Sequence, residues 1–124
     1  IKKLIKKYNI DKKNIVGHSD IAPLRKKDPG EKFPWKILAK SNIGIWHNLK
    51  QKKLMKNRKK KILKKEKLIF FKFLNKIGFQ TRFNIKKSRY QKKLIEAFQR
   101  RFRPGLISGI IDKECFFIAK NISL

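Results

Sequence analysis

The stretch VGHSDIAPLRKKDPGEKFPW, from Val16 to Trp35, differs from the lysine-rich sequence on either side of it. Glycine and proline interrupt it repeatedly, which is typical of an irregular loop. The apolar pair Ile15 and Val16 predicts a short buried strand that ends at Gly17. We therefore expect His18 to lie at the end of a strand, where a loop begins.

Two side chains of this loop have the chemistry of zinc ligands. His18 offers an imidazole nitrogen and Asp28 a carboxylate oxygen, and a loop can bring both onto one ion. A hydrolytic zinc site usually has three protein ligands and one open position. His47 is a possible third ligand, although it follows an exposed-looking turn.

A lysine in the same loop could assist catalysis. Lys26 precedes Asp28 by two positions, so in an extended backbone both side chains leave the same face. An ammonium group there would stabilise the oxyanion that develops when an amide carbonyl is attacked. The residues alone leave an alternative open, in which the histidine, the aspartate and the lysines belong to an ordinary solvated loop.

Several consecutive motifs carry a family resemblance. GHSDIAP, RKKDPG and FPW, followed by IGIW from Ile43 to Trp46, resemble the zinc-dependent N-acetylmuramoyl-L-alanine amidases of the amidase-2 family in order and spacing. The resemblance implies that His18 and Asp28 bind Zn²⁺ and that Lys26 polarises the scissile carbonyl. It implies that Asp20 braces the ligands or their loop, with a simple Asx turn as the alternative.

The second half of the chain extends this resemblance. YQKKLIEAFQRRFRP, from Tyr90 to Pro104, and SGIIDKE, from Ser108 to Glu114, are similar to the small helical domain of AmiD-type amidases, which resembles peptidoglycan-binding modules. The fold expected is α/β, the C-terminal part of an amidase-2 mixed-sheet domain, followed by an all-α three-helix domain. We expect the first in residues 1–48, a basic linker in 49–67 and the second in 68–124.

The resemblance also implies a reaction and a location. The reaction is hydrolysis of the amide between N-acetylmuramic acid and L-alanine, in peptidoglycan or in released muropeptides, in the periplasm or cell envelope. The family's first zinc histidine and its catalytic glutamate lie on earlier parts of the domain. The chain is therefore expected to be the C-terminal portion of such an enzyme and to be inactive by itself.

Hydrophobic periodicity and capping residues predict the helices. Apolar positions at helical spacing predict one helix near the start of the chain, with Asn9 as a left-handed C-cap. The same spacing predicts four further helices. These are Phe33–Ala39, Leu68–Ile77, Ser88–Phe102 and Asp112–Ile122, the last with Asp112 as N-cap. Leu94, Phe98 and Phe102 are expected on one buried face. The lysine-rich stretch Leu49–Lys67 is expected to be a solvated linker.

Charge supports a rival hypothesis from another class. The chain has 36 Lys and Arg against 8 Asp and Glu, a formal net charge of +28. This excess, with RRFR at Arg100–Arg103, is compatible with a non-enzymatic protein that binds nucleic acid. A decayed, inactive amidase fragment is a further alternative, and a codon bias toward lysine would explain the charge without a polyanionic partner.

Run length and cysteine count argue against two classes of protein, those that cross a membrane and those held together by internal disulfides. The apolar runs, LIFF at Leu68–Phe71 and CFFIA at Cys115–Ala119 among them, are far shorter than the roughly 20 residues that span a bilayer. Cys115 is the only cysteine, so the chain has no internal disulfide, and its thiol is expected to be buried in a helix.

Overall fold

A computed structural model describes residues 1–81 and 88–124. These residues form seven α-helices and one short 3₁₀ helix at Lys12–Asn14. In chain order the α-helices are α1 (Lys2–Tyr8), α2 (His18–Ile21), α3 (Trp35–Lys40), α4 (Gln51–Asn57), α5 (Lys64–Ile77), α6 (Ser88–Phe102) and α7 (Lys113–Ile122).

The expected α/β class is wrong for the first part of the chain. The backbone of Ile15 is extended, with φ −93° and ψ 102°, but residues 1–81 and 88–124 form no strand. A strand requires a neighbouring strand to share its hydrogen bonds. The carbonyl oxygen of Ile15 instead accepts a hydrogen bond of 3.1 Å from Nη2 of Arg101. His18 consequently begins helix α2 and does not end a strand.

The helices of the second half confirm the sequence prediction closely. Helix α6 has the predicted bounds, and α5 begins earlier than predicted but ends at Ile77, where Gly78 adopts φ 108°. The side chain of Asp112 caps α7 by accepting from the backbone N–H of Cys115 at 2.9 Å. These ends were predictable because a capping residue and a left-handed glycine act locally.

Aromatic rings fill the core between α5, α6 and α7. The ring centroids of Phe70 and Phe98 are 5.2 Å apart, and those of Phe98 and Phe102 are 5.3 Å apart. Leu94, Phe98 and Phe102 are all buried, as their spacing predicts. Cys115 is also buried. Burial raises the pKa of its thiol to about 12, so this cysteine stays protonated.

The lysine-rich segment 49–67 is more than a solvated chain. Leu54 in α4 joins the hydrophobic core with only 6% of its surface exposed. Nε of Arg58 lies 2.7 Å from Oε2 of Glu114, and the amide of Lys59 donates to Oδ2 of Asp112 at 2.9 Å. The segment therefore contacts α7, while the domain boundaries drawn from the sequence remain a prediction.

The first helix has an exposed apolar side. Asn9 ends α1 in the left-handed conformation, with φ 48° and ψ 48°, as predicted. Ile1, Leu4 and Tyr8 are all more than half exposed.

None of the helices in residues 1–81 and 88–124 combines the length and apolar character that a membrane-spanning helix needs.

Candidate metal centre

His18 and Asp28 lie together. Nδ1 of His18 is 3.3 Å from Oδ2 of Asp28, and both side chains are open to solvent, with 44% and 62% of their surface exposed. His18 is placed by the first turn of α2, and Asp28 by the loop that returns from it. The structure thus brings together the two residues proposed from the sequence as metal ligands.

The loop between them closes on itself through the backbone. The amide of Ser19 donates to the carbonyl oxygen of Asp28 at 3.0 Å. Gly17 packs so closely against the ring of Pro29 that a Cβ atom at position 17 would lie 2.7 Å from Cδ of the proline. Glycine is therefore required where the GHSD and DPG motifs meet, because any side chain would push them apart.

The separation of the two side chains fits joint binding of zinc. Imidazole nitrogens and carboxylate oxygens bind Zn²⁺ at about 2.0–2.2 Å, so two ligands of a tetrahedral ion are roughly 3.3–3.5 Å apart. The observed 3.3 Å between His18 and Asp28 lies in that range and exceeds the usual 2.7–2.9 Å of a charge-assisted hydrogen bond. The pair therefore has the donor atoms and the spacing for two ligands of one ion.

A third ligand does not join them within the described part of the chain. No group of three or more His, Cys, Asp or Glu side chains there could hold a metal ion. His47 lines other cavities, with Lys36 and Trp46, and its Nδ1 accepts from the amide of Leu49 at 3.3 Å. Burial, helped by the charge of Lys36, lowers the pKa of His47 to about 4. Its ring is thus neutral near pH 7 and does not line the cavity beside His18 and Asp28.

A cavity of about 320 Å³ adjoins the pair. Its walls include His18, Asp28 and the aromatic rings of Phe33 and Trp35. Lys26 is not among the lining residues; it is half-buried, and its amide donates to the carbonyl oxygen of Ala22 at 2.9 Å. The structure therefore offers a mostly apolar recess beside the two candidate ligands.

Asp20 connects this loop to the helical region. Its Oδ2 accepts from the amide of Gly17 at 2.8 Å and from Nη1 of Arg101 in α6, and its carbonyl oxygen accepts from the amide of Gln80 at 3.0 Å. Burial raises the pKa of the Asp20 carboxyl, against the opposing effects of Arg101 and the Gly17 amide. Asp20 thus makes a local turn bond and a long-range ion pair at once.

Sequence reasoning missed Arg101. Its side chain is 3% exposed, and its guanidinium carbon lies 4.2 Å from the centroid of the Trp35 ring. The available signal was its residue type, because arginine is preferred over lysine in buried and interface ion pairs and most basic residues of this chain are lysine. Arg101 therefore contacts three parts of the candidate site: Ile15, Asp20 and Trp35.

The motif RRFR does not form a surface patch. Arg100, Arg101 and Arg103 are 7%, 4% and 2% exposed. Arg103 pairs with Asp112 and Glu114, as Arg101 does with Asp20. Arginines buried in this way cannot contact a polyanion in solution. RRFR therefore does not support the nucleic-acid hypothesis, which now rests on the overall positive charge.

Comparison with known proteins gives the relationship. No protein-family profile matches the chain. N-acetylmuramoyl-L-alanine amidase AmiD of Escherichia coli (strain K12) is 34% identical over 121 residues, which are 98% of this chain and 44% of AmiD. A solved complex of E. coli AmiD with anhydro-N-acetylmuramic acid-L-Ala-D-gamma-Glu-L-Lys superposes with a TM-score of 0.83 and 34% identity, over 98% of this chain and 47% of the solved AmiD chain. The chain is homologous to the AmiD and AmpD amidases.

Two further relatives agree with AmiD. The 1,6-anhydro-N-acetylmuramyl-L-alanine amidase AmpD of Enterobacter cloacae is 59% identical over 32 residues, 26% of this chain and 17% of AmpD. The crystal structure of AmpDH3 from Pseudomonas aeruginosa has a TM-score of 0.76 and 30% identity, over 98% of this chain and 49% of that one. The chain spans about half the length of AmiD and less of AmpD.

Proposed function

We propose that this chain is part of a zinc-dependent N-acetylmuramoyl-L-alanine amidase and carries two of its metal ligands. One observation supports the proposal above others. His18 and Asp28 stand 3.3 Å apart in a chain that is 34% identical to AmiD over 98% of its own length. The spacing of this imidazole and carboxylate suits two ligands of one zinc ion.

Each residue has a role in this proposal. His18 and Asp28 hold Zn²⁺, and the remaining ligand and the general base come from outside residues 1–124, as the family resemblance implies. Zinc bound there supplies Lewis-acid polarisation of the scissile carbonyl and acidifies water. Lys26 stabilises the negative charge that develops on the carbonyl oxygen, which requires its flexible side chain to turn toward the recess. Asp20 holds the loop that carries both ligands.

The substrate class follows from the relatives and the cavity. AmiD and AmpDH3 have been solved in complex with anhydromuramyl peptides. The recess beside His18 has aromatic walls in Phe33 and Trp35, which suit the apolar faces of a sugar ring. We propose that the substrate is a muramyl peptide, from intact peptidoglycan or released from it, and that the site of action is the periplasm or cell envelope. Residues 68–124 are proposed to help bind peptidoglycan.

A chimera tests the proposal directly. The aligned 121 residues of AmiD are replaced by this chain, and the release of L-alanine-bearing peptide from anhydro-N-acetylmuramyl peptide is followed. If the site residues are equivalent, the chimera hydrolyses the amide and requires zinc. His18→Ala and Asp28→Ala should each abolish zinc retention and turnover, because losing one ligand destroys an open three-ligand site.

A matched control separates ligand loss from damage to the fold. Asp11 is an exposed aspartate whose side chain accepts from the nearby amide of Lys13, at 2.9 Å. Asp11→Asn keeps the capping acceptor of the 3₁₀ helix and should leave turnover within about twofold. A folded chimera that keeps stoichiometric zinc and full turnover after Asp28→Ala would overturn the ligand assignment.

A further inference from the structure

Arg101 binds the candidate metal loop on both sides of His18. Nη2 donates to the carbonyl oxygen of Ile15, before the histidine, and Nη1 binds Oδ2 of Asp20, after it. The guanidinium also lies over Trp35, which lines the recess beside His18 and Asp28. One side chain from α6 thus contacts both ends of the turn that carries the histidine and one wall of the recess.

These contacts are shielded from water. The side chains of Arg101 and Asp20 are 3% and 2% exposed. A buried charge without its partner is strongly unfavourable, so the guanidinium and the carboxylate must stay together while the loop is folded. The planar fork of arginine can bind two acceptors and stack on an aromatic ring at once, which a lysine ammonium cannot do.

Asp20 transmits this restraint to both candidate ligands. Oδ2 of Asp20 also accepts from the amide of Gly17, which fixes the first turn of α2 and with it His18. The amide of Ser19 within that turn donates to the carbonyl oxygen of Asp28. A shift of Asp20 would therefore move the histidine and loosen the bond that brings Asp28 beside it.

We propose that Arg101 is a positioning residue for the His18 and Asp28 pair, so that helix α6 belongs to the working metal centre and is not merely part of an appended binding module. This inference rests on the proposed role of the pair in binding zinc. The helical region would then be needed for hydrolysis itself, independently of any part it plays in holding peptidoglycan.

Amide hydrogen exchange provides a test that does not depend on zinc. The amide of Ser19 reports closure of the metal loop through its bond to Asp28, and the amide of Cys115 reports the cap of α7 through its bond to Asp112. Arg103, two positions after Arg101, is a matched control because it is equally buried and pairs with Asp112 and Glu114. Arg101→Lys and Arg103→Lys each keep the charge and lose the fork.

The two variants should separate the two reporters. Under conditions where circular dichroism shows both proteins folded, Arg101→Lys should speed exchange at Ser19 by about tenfold or more and leave Cys115 unchanged. Arg103→Lys should do the opposite. Asp20→Asn, which keeps the shape of the side chain, should reproduce the Arg101→Lys result. If Arg101→Lys does not fold, the Asp20→Asn result alone decides between the outcomes.

Two outcomes would overturn the inference. One is unchanged protection of Ser19 in Arg101→Lys and Asp20→Asn; the other is equal loss at both reporters, which would make Arg101 a general stabiliser of the fold. Zinc titration of the same samples distinguishes failure of the proposed function. If zinc does not shift the signals of His18 in the wild type, the metal assignment is wrong. If Ser19 exchange still depends on Arg101 in that case, the positioning role of Arg101 stands.

Discussion

Asp20 and Arg101 are separated by 81 positions in the sequence and form a buried ion pair. The pair joins the loop of the candidate metal centre to helix α6. The amide of Gln80, just beyond α5, adds a second link through the carbonyl oxygen of Asp20. The catalytic part and the helical part predicted from the sequence therefore share a buried contact.

A second buried network should control the stability of the helical region. Glu114 accepts from Nε and Nη2 of Arg58 at 2.7 and 2.9 Å and from Nη1 of Arg103 at 3.3 Å. Glu114→Gln removes the charge that two guanidinium groups face, and we expect a loss of about 1–3 kcal/mol in the free energy of unfolding, since Arg103 keeps its pairing with Asp112. Urea denaturation followed by circular dichroism measures this loss.

Glu96 offers the control for that experiment. Its carboxylate pairs with Lys93 at 3.9 Å, three positions away on the same helix. Pairs of this kind contribute little, so Glu96→Gln should change the free energy of unfolding by no more than about 0.5–1 kcal/mol. Equal losses in the two variants would mean that the Glu114 network is not the stabilising feature inferred here.

The single cysteine should report unfolding of the helical region. Cys115 is fully buried, and burial raises the pKa of its thiol to about 12. Because the thiolate is the reactive form, the folded protein should resist a thiol reagent at pH 8. Increasing urea should release the thiol in step with the loss of helical signal. Fast labelling of the native protein would contradict the burial of this helix.

The helices of the second half could be predicted from the sequence, whereas the long-range ion pairs could not. The ends of α6 and α7 follow from local signals such as Asp112 and the apolar spacing of Leu94, Phe98 and Phe102. The strand predicted at Ile15 failed because strand formation depends on a partner elsewhere, which periodicity cannot supply. Burial of Leu54 was missed because the average charge of its segment conceals one well-placed leucine.

The same distinction applies to the candidate site. The proximity of His18 and Asp28 was expected from the donor chemistry of two residues in one loop and from the family resemblance, and the structure places them 3.3 Å apart. The ion pair of Arg101 with Asp20 was not predicted, because no local pattern connects an arginine in α6 to an aspartate near the start of the chain.

His47 should make the fold sensitive to mild acid. Burial lowers its pKa from 6.5 to about 4, so the folded state favours the neutral ring. Its contribution is fully present above pH 6.5 and is lost as the pH falls toward 4, because the unfolded chain takes up the proton first. Urea denaturation at pH 7.5 and pH 5 should show this loss in the wild type.

A variant isolates that contribution. His47→Gln retains an acceptor for the amide of Leu49 but does not titrate. The difference in stability between pH 7.5 and pH 5 should therefore be smaller in His47→Gln than in the wild type. An identical pH dependence in both proteins would show that His47 is not the group responsible.

Substitutions of Lys26 and Lys27 test which of the two lysines has the proposed catalytic role. Lys26 is half-buried, whereas Lys27 is exposed. In the AmiD chimera, Lys26→Ala should keep zinc but lower kcat by about 10²–10³, the cost of removing one oxyanion partner. Lys27→Ala should have little effect. If Lys27→Ala were the damaging change, the assignment of the lysine would have to move by one position.

Zinc titration of the chain labelled with ¹⁵N-histidine tests the metal assignment most directly. The sequence has only two histidines, so the imidazole spectrum contains one signal set for His18 and one for His47. Zinc should shift the signals of His18 and leave those of His47 in place. Asp28→Asn should weaken that response by at least about tenfold, because the second ligand is lost while the loop keeps its shape. A response at His47 instead, or a His18 response that Asp28→Asn does not alter, would contradict the assignment of His18 and Asp28 as two ligands of one zinc ion.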